Sequence, residues 1–249
     1  MEAKSLFILA TAAPQYRVTF THHDLPRHAI LPPTYKHYQR TGQVAGEVLA
    51  KLIKPTGYQS WRAPLPLKLL AVRSGLGRYG RNNICYIPGL GSFHQLAAFF
   101  SDLPCPEDDW QEPQMMDACQ DCTACLRNCP TGAIVSDRFL LHAERCLTFH
   151  NEKPSDIPFP KCFDPSWHNS LIGCMRCQLT CPQDQDFWKY IEEGPVFSTE
   201  ETGWIFAGLP LEQLPARTRH KLECFDLVTQ MEVMPRNLPA LFLSGKERQ

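Results

Sequence analysis

The chain is 249 residues long, with 25 basic and 26 acidic side chains, enough for one large domain or two modest ones. That near-balance, without a long run of either sign, excludes a protein that holds nucleic acid by charge alone. The 22 prolines argue against a helical bundle, and the 12 cysteines become the main question.

An even cysteine number in a secreted chain would mean disulfides. The opening MEAKSLFILATAAPQ has too short an apolar run for a signal peptide, and Glu2 offsets Lys4. Ser5 to Ala12 is read instead as an internal β-strand. No stretch reaches the roughly 18 apolar residues of a spanning helix, so no membrane partner is expected. A cytoplasmic location fits, and in a reducing compartment clustered cysteines mean metal.

Next comes a polar, His-rich segment, THHDLPRHAILPPTY, read as a loop. Tyr35 to Ile53 carries Val44, Val48, Leu49 and Leu52 at helical spacing, and Pro55 to Gly57 ends that helix. A second helix is expected from Pro66 to Arg73, leading into SGLGRYGRNN. Beyond it, ICYIPGLG and SFHQLAAFFSDLP read as two strands around a glycine turn. The fold class is α+β. Residues 1–104 form a mixed α/β domain, 105–190 a small cysteine-rich domain, and 191–249 a helical tail. Helical pieces of that tail are expected near Leu211 to Leu227 and Arg236 to Leu243.

Two cysteine runs carry the chemistry. The first reads Cys119-x2-Cys122-x2-Cys125-x3-Cys129-Pro130, the second Cys174-x2-Cys177-x3-Cys181-Pro182. Successive x2 steps aim thiolates at one cubic 4Fe–4S cluster, and the cysteine before proline ligates the other cluster in two-cluster ferredoxins. One cluster then takes Cys119, Cys122, Cys125 and Cys181. The other takes Cys129, Cys174 and Cys177 and lacks a fourth thiolate. Cys146, in HAERCLTF, and Cys162, in PFPKCFDP, are the candidates, with Cys146 preferred. Structural zinc is the blander reading, but zinc sites do not call for this ladder of spacings. Cys85, Cys105 and Cys224 are expected to be buried thiols.

Gly75-Leu-Gly77-Arg-Tyr-Gly80 matches the dinucleotide fingerprint in letters only. That fingerprint needs a strand before the loop and a helix after it, and here the order is inverted. What remains is a loop whose backbone can approach a ligand closely, flanked by Arg73, Arg78, Arg81, Asn82 and Asn83.

The order of AVRSGLGRYGRNNICYI, FFSDLPC, CQDCTACLRNCPTGAI, AERCLTF and IGCMRCQLTCP resembles the epoxyqueuosine reductase family and is more distantly similar to the reductive dehalogenases. The resemblance covers roughly Ser60 to Gln183, with an echo in MPRNLPALF. It implies a cobalamin-binding α/β domain joined to a ferredoxin-like domain with two 4Fe–4S clusters, and Cys146 as the eighth ligand. Gly75, Gly77, Gly80, Arg81 and Asn82 would border the corrinoid. Electrons would arrive from a ferredoxin, a flavodoxin or a reductase. The alternative is an electron-transfer protein without corrinoid catalysis.

The chain departs from the family in three places. The family's acidic proton donor aligns with Trp61. An N-terminal segment is lacking, and only MPRNLPALF stands for the helical repeats that grip tRNA, so a tRNA contact is not expected. Tyr35, His37 and Tyr38 are the candidate proton donors, beside His22 and His23. The two histidines, adjacent in an extended segment, would point apart. Arg217, Arg219, His220 and Lys221 form a small basic patch, read as a solvated helix face.

Overall fold

A computed structural model describes residues 2–244, which form two compact units. One comprises residues 2–13 and 37–123, the other residues 14–36 and 124–244. In chain order the strands and helices begin with β1 (Ser5–Ala12), β2 (Gln15–His22), β3 (Leu25–Leu31), α1 (Tyr38–Ile53), β4 (Ser60–Arg62) and α2 (Leu67–Arg73). Then come β5 (Arg78–Tyr79), β6 (Cys85–Tyr86), β7 (His94–Ser101), α3 (Ala124–Asn128) and α4 (Leu147–Asn151). The last are β8 (Ile191–Phe197), α5 (Thr199–Phe206), α6 (Ala216–Cys224) and α7 (Met234–Ser244).

In the first unit β7 lies between β1 and β4, antiparallel to both. Its sequence, HQLAAFFS, is nearly continuous in apolar residues because both faces are covered. Ala97 and Phe99 pack with Leu49 and Ile53 of α1. Leu96 and Ala98, pointing the opposite way, pack with α2 through Ala71, Val72 and Leu70. Burying a side chain of the size of Leu49 or Phe99 contributes about 1.5–3 kcal/mol. Gly46 lets the Phe99 ring approach α1, since a Cβ there would stand 2.7 Å from it.

The apolar spacing of α1 misled in part. Leu49 is buried, but Val44, Val48 and Leu52 are exposed. The face read as core-directed therefore lies to one side of the stripe that packs. ICYI and HQLAAFFS are strands, but they do not pair as a hairpin. Cys85–Tyr86 pairs with Arg78–Tyr79, and β7 pairs with β1 and β4.

In the second unit, the segment read as a His-rich loop is a hairpin. β2 and β3 pair from Tyr16 with Leu31 to His22 with Leu25. The two turn residues, His23 and Asp24, have φ of 48° and 59°. This is the left-handed pair that matches strand twist in a two-residue turn. The turn was missed because it carries no glycine and because Pro26 argues against a strand. Pro26 is tolerated because β3 is an edge strand. The turn also brings the His22 and His23 rings to 4.1 Å, so the two do not point apart as extended neighbours would.

β8 pairs in parallel with β2 and carries Pro195 at an irregularity in the register. Phe20 and Phe197 stack at 4.9 Å, and around them Ile205, Leu222, Leu227, Met234 and Leu238 bury against Leu171. The C-terminal helices thus share one core with the hairpin. A capping box, Ser198 with Glu201, starts α5.

Candidate metal centre

None of the twelve cysteines forms a disulfide. Among the described residues no three His, Cys, Asp or Glu side chains stand close enough to hold a single metal ion. A zinc site needs four ligands at about 2.0–2.3 Å from one ion. A cubic cluster has four irons, each taking one thiolate, and spreads its ligands more widely. Thiolates in two runs of x2 and x3 steps are a donor set that suits such clusters.

The start of the first run is held by the glycine loop, all within the first unit. Tyr79 N–H donates to the Gln114 carbonyl at 3.0 Å, and Met116 N–H donates to the Tyr79 carbonyl at 2.9 Å. Arg81 Nη2 donates to the carbonyls of Cys119 at 2.6 Å and Gln120 at 3.0 Å. Arg78 pairs with Asp117 at 3.3 Å. Asn82 is buried and donates to the Tyr86 hydroxyl at 2.9 Å, while its Oδ1 accepts from Ile84 N–H at 3.2 Å.

The glycines are required by this packing. A Cβ on Gly77 would stand 2.7 Å from the Tyr86 carbonyl oxygen, and one on Gly80 would stand 2.5 Å from Asn82 Oδ1. Gly75 has φ of +75°. Gly75 and Gly77 also line a polar pocket of about 210 Å³ with Arg78, Gln111, Glu112 and Gln114. That is below the roughly 300–1,000 Å³ of small-molecule sites. As the inverted context required, α2 precedes it and short strands follow.

In the second unit Cys129, Cys146 and Cys174 are neighbours. Burial pushes the Cys174 thiol up to about 11, and Cys146 and Cys129 push in the same direction while Arg176 opposes them. Iron ligation would deprotonate such a thiol outright. Cys181 is extended (φ −77°, ψ 122°), as a residue before proline must be. Cys162 is exposed. Of the three cysteines expected to be buried, only Cys85 is, its thiol pushed by burial up to about 11. Cys105 and Cys224 are exposed, which corrects that expectation.

Tyr35 lies against Gly173, where a Cβ would meet its ring at 2.8 Å. Its hydroxyl donates to Glu152. Burial, and then Glu152, Cys146 and Cys174, raise its pKa far above the ordinary tyrosine value. It stands near the Cys146 and Cys174 thiols. His37 takes a left-handed conformation (φ 56°) before α1, and the Arg62 guanidinium lies 5.9 Å from the Tyr38 ring centre. Neither belongs to the unit that holds Tyr35.

Trp61 sits in β4 opposite Phe100, their rings 6.3 Å apart. The SDLP motif holds the start of that strand. Asp102 Oδ1 accepts from Gln59 N–H at 2.7 Å, and Ser101 Oγ donates to the Gln59 carbonyl at 2.6 Å. His22 packs on Phe206 and Phe242, at 4.9 and 5.5 Å. In the basic patch, Lys221 is tied to Glu201 at 2.6 Å and to the Val196 carbonyl.

Residues 118–184 match the model of the 4Fe-4S double cluster binding domain, so the site is of the double-cluster iron–sulfur class. The chain is similar to epoxyqueuosine reductases. It is 36% identical over 120 residues to that of Yersinia pestis, covering 48% of this chain and 28% of the relative. With that of Vibrio cholerae it is 31% identical over 160 residues, covering 64% and 42%. The chain spans less than half the length of these curated relatives.

In fold it is similar to the epoxyqueuosine reductase of Bacillus subtilis, with a TM-score of 0.69 at 24% identity, covering 99% of this chain and 66% of that one. An epoxyqueuosine reductase with a tRNA-Tyr epoxyqueuosine-modified stem loop matches at a TM-score of 0.68 and 22% identity, with the same coverage. The expectation against a tRNA contact finds no support in these relatives. No helix among the described residues is long and apolar enough to cross a membrane.

Proposed function

We propose that this chain is an iron–sulfur reductase of the epoxyqueuosine reductase kind, its two 4Fe–4S clusters passing electrons to a corrinoid or to a substrate at the α/β unit. The observation that carries this is the eight-cysteine set within a matched double-cluster domain. Cys119, Cys122, Cys125 and Cys181 hold one cluster, and Cys129, Cys146, Cys174 and Cys177 the other. When bound, the clusters supply one-electron storage and transfer at potentials set by their surroundings.

The protein's own part is to shield the thiols, of which Cys119 and Cys125 are buried and the other six partly so. Gly75, Gly77, Gly80, Arg81 and Asn82 are proposed to border the acceptor. The acceptor substrate is proposed to be a modified tRNA base, by likeness to the relatives, and the electron donor a ferredoxin, a flavodoxin or a reductase.

One observation favours a second reading, an electron-transfer protein without corrinoid catalysis. The side chains of Arg81 and Asn82 are already engaged inside their own unit. The test is anaerobic reconstitution to about eight irons per chain, as two cubic clusters require, followed by cobalamin titration monitored by absorption. A saturable spectral change supports the reductase with a corrinoid. An unchanged spectrum, with no corrinoid co-purifying, removes the corrinoid and leaves the electron-transfer reading.

A further inference from the structure

The C-terminal motif MPRNLPALF has an unexpected place in the second unit. It opens α7, and two of its side chains reach backbone carbonyls flanking the Cys146 and Cys174 segments. Arg236 Nη2 donates to the carbonyls of His150 at 2.9 Å and Asn151 at 3.1 Å. Its Nη1 donates to those of Pro154 at 3.1 Å and Ile157 at 2.7 Å. The guanidinium lies 4.3 Å from the centre of the Phe159 ring. Asn237 is fully buried, and its Nδ2 bridges the carbonyls of Asn151 at 2.9 Å and Leu171 at 3.0 Å. Asn151, also fully buried, donates from Nδ2 to the Gly173 carbonyl at 2.7 Å.

These bonds connect two separate pieces of chain. One is α4, which follows Cys146 directly; the other is Leu171–Gly173, which precedes Cys174 directly. No strand or helix pairing joins them. Their spacing is set by the amides of Asn151 and Asn237, and Arg236 holds Asn237 by donating to its Oδ1 at 2.9 and 3.0 Å. Buried backbone carbonyls need partners, and a fork of five N–H donors can satisfy several at once.

We infer that Arg236 and Asn237 are positioning residues for the second cluster, fixing the distance between the Cys146 and Cys174 segments so that a ligand set drawn from both is preorganised. This rests on the proposed reading of Cys146 as a cluster ligand. Neither side chain touches a thiol. They act through the carbonyls, as supporting contacts around a metal site commonly do. A motif read as the remnant of an RNA-gripping repeat thus serves the redox centre.

The test uses the anaerobically reconstituted full chain. Asn237→Asp keeps the shape and the Oδ1 acceptor for Arg236 but removes both donors to Asn151 and Leu171. Half of the iron should then leave roughly tenfold faster under chelator challenge, consistent with losing two such bonds. The electron paramagnetic resonance signal of one reduced cluster should shift while the other keeps its position. Arg236→Lys, which retains the charge but not the fork, should act on the same half more weakly, and decides the question if Asn237→Asp fails to fold.

Equal loss from both clusters, or no change in either, would overturn the inference. Cys146→Ala separates the two claims. If that variant keeps about eight irons, the ligand reading fails and the inference with it. If it loses about half while Asn237→Asp and Arg236→Lys change nothing, only the positioning role fails.

Discussion

The two cysteine runs are supported in different ways. Cys119 is held from outside by the glycine loop, through short-strand pairing and one arginine on successive carbonyls. The Cys146 and Cys174 segments are held by the buried amides of Asn151 and Asn237 and by the partly buried Tyr35 and Arg236, three of which come from distant sequence. The first kind of support reaches across 38 and 39 residues and is made largely of backbone. The second is assembled from pieces up to 117 residues apart. A ligand segment supported from nearer in the sequence tolerates change elsewhere in the chain. One assembled at long range is sensitive to every piece that closes it.

The sharpest way to break that comparison is to remove a ligand. Cys146→Ala should reduce iron from about eight to about four per chain, whereas Cys162→Ala should leave it unchanged, both read by iron assay after anaerobic reconstitution. The reverse pattern would move the second cluster to the proline-rich segment and dissolve the contrast.

Next in size is Gly77→Ala. Its added methyl meets the Tyr86 carbonyl oxygen and the Cys85 sulfur at 2.7 and 2.8 Å, and backbone cannot swing aside. Overpacking of this kind costs about 1–3 kcal/mol, measurable by urea unfolding. If the variant is as stable as the parent but no longer perturbs the cobalamin spectrum, the glycine serves a ligand and not the packing. Arg81→Gln should cost about 1–2 kcal/mol through the two lost carbonyl bonds. It should also speed iron release from the first cluster while sparing the second. An effect on both would show that the two supports are not independent.

How much of this was legible in sequence follows from the same contrast. The cysteine ladders, β1, α2 and the inverted context of the glycine loop were readable because each is a local pattern. Cys146 is preferred to Cys162 because it follows TGAIVSDRFLL closely, and its ligand role stays a proposal. The hairpin at His23–Asp24 was not readable, because its two-residue turn carries none of the glycines that mark such turns, although Asp and His are among the residues that do take positive φ. The role of Arg236 and Asn237 was not readable either. Side chains that satisfy carbonyls 66 to 86 residues away leave no periodicity or spacing. The only hint was the echo in MPRNLPALF, and it pointed to RNA.

The last expected effect is one of pH and concerns His168, which is buried in the same long-range assembly and faces Phe159 at 4.5 Å. Burial first, then the charges of Arg236 and Arg176, lower its pKa to about 4. The ordinary value in an unfolded chain is about 6.5. Between these two values the unfolded chain binds the proton and the folded one does not, so stability rises with pH across that window and falls as pH drops through it. The slope for one such group is at most about 1.4 kcal/mol per pH unit. Urea midpoints from pH 7 to pH 5 should therefore fall more steeply for the parent than for His168→Gln, which has no proton to gain. Parallel slopes would mean that the imidazole is solvated when folded, and that the second unit is looser around Arg236 than its hydrogen bonds indicate.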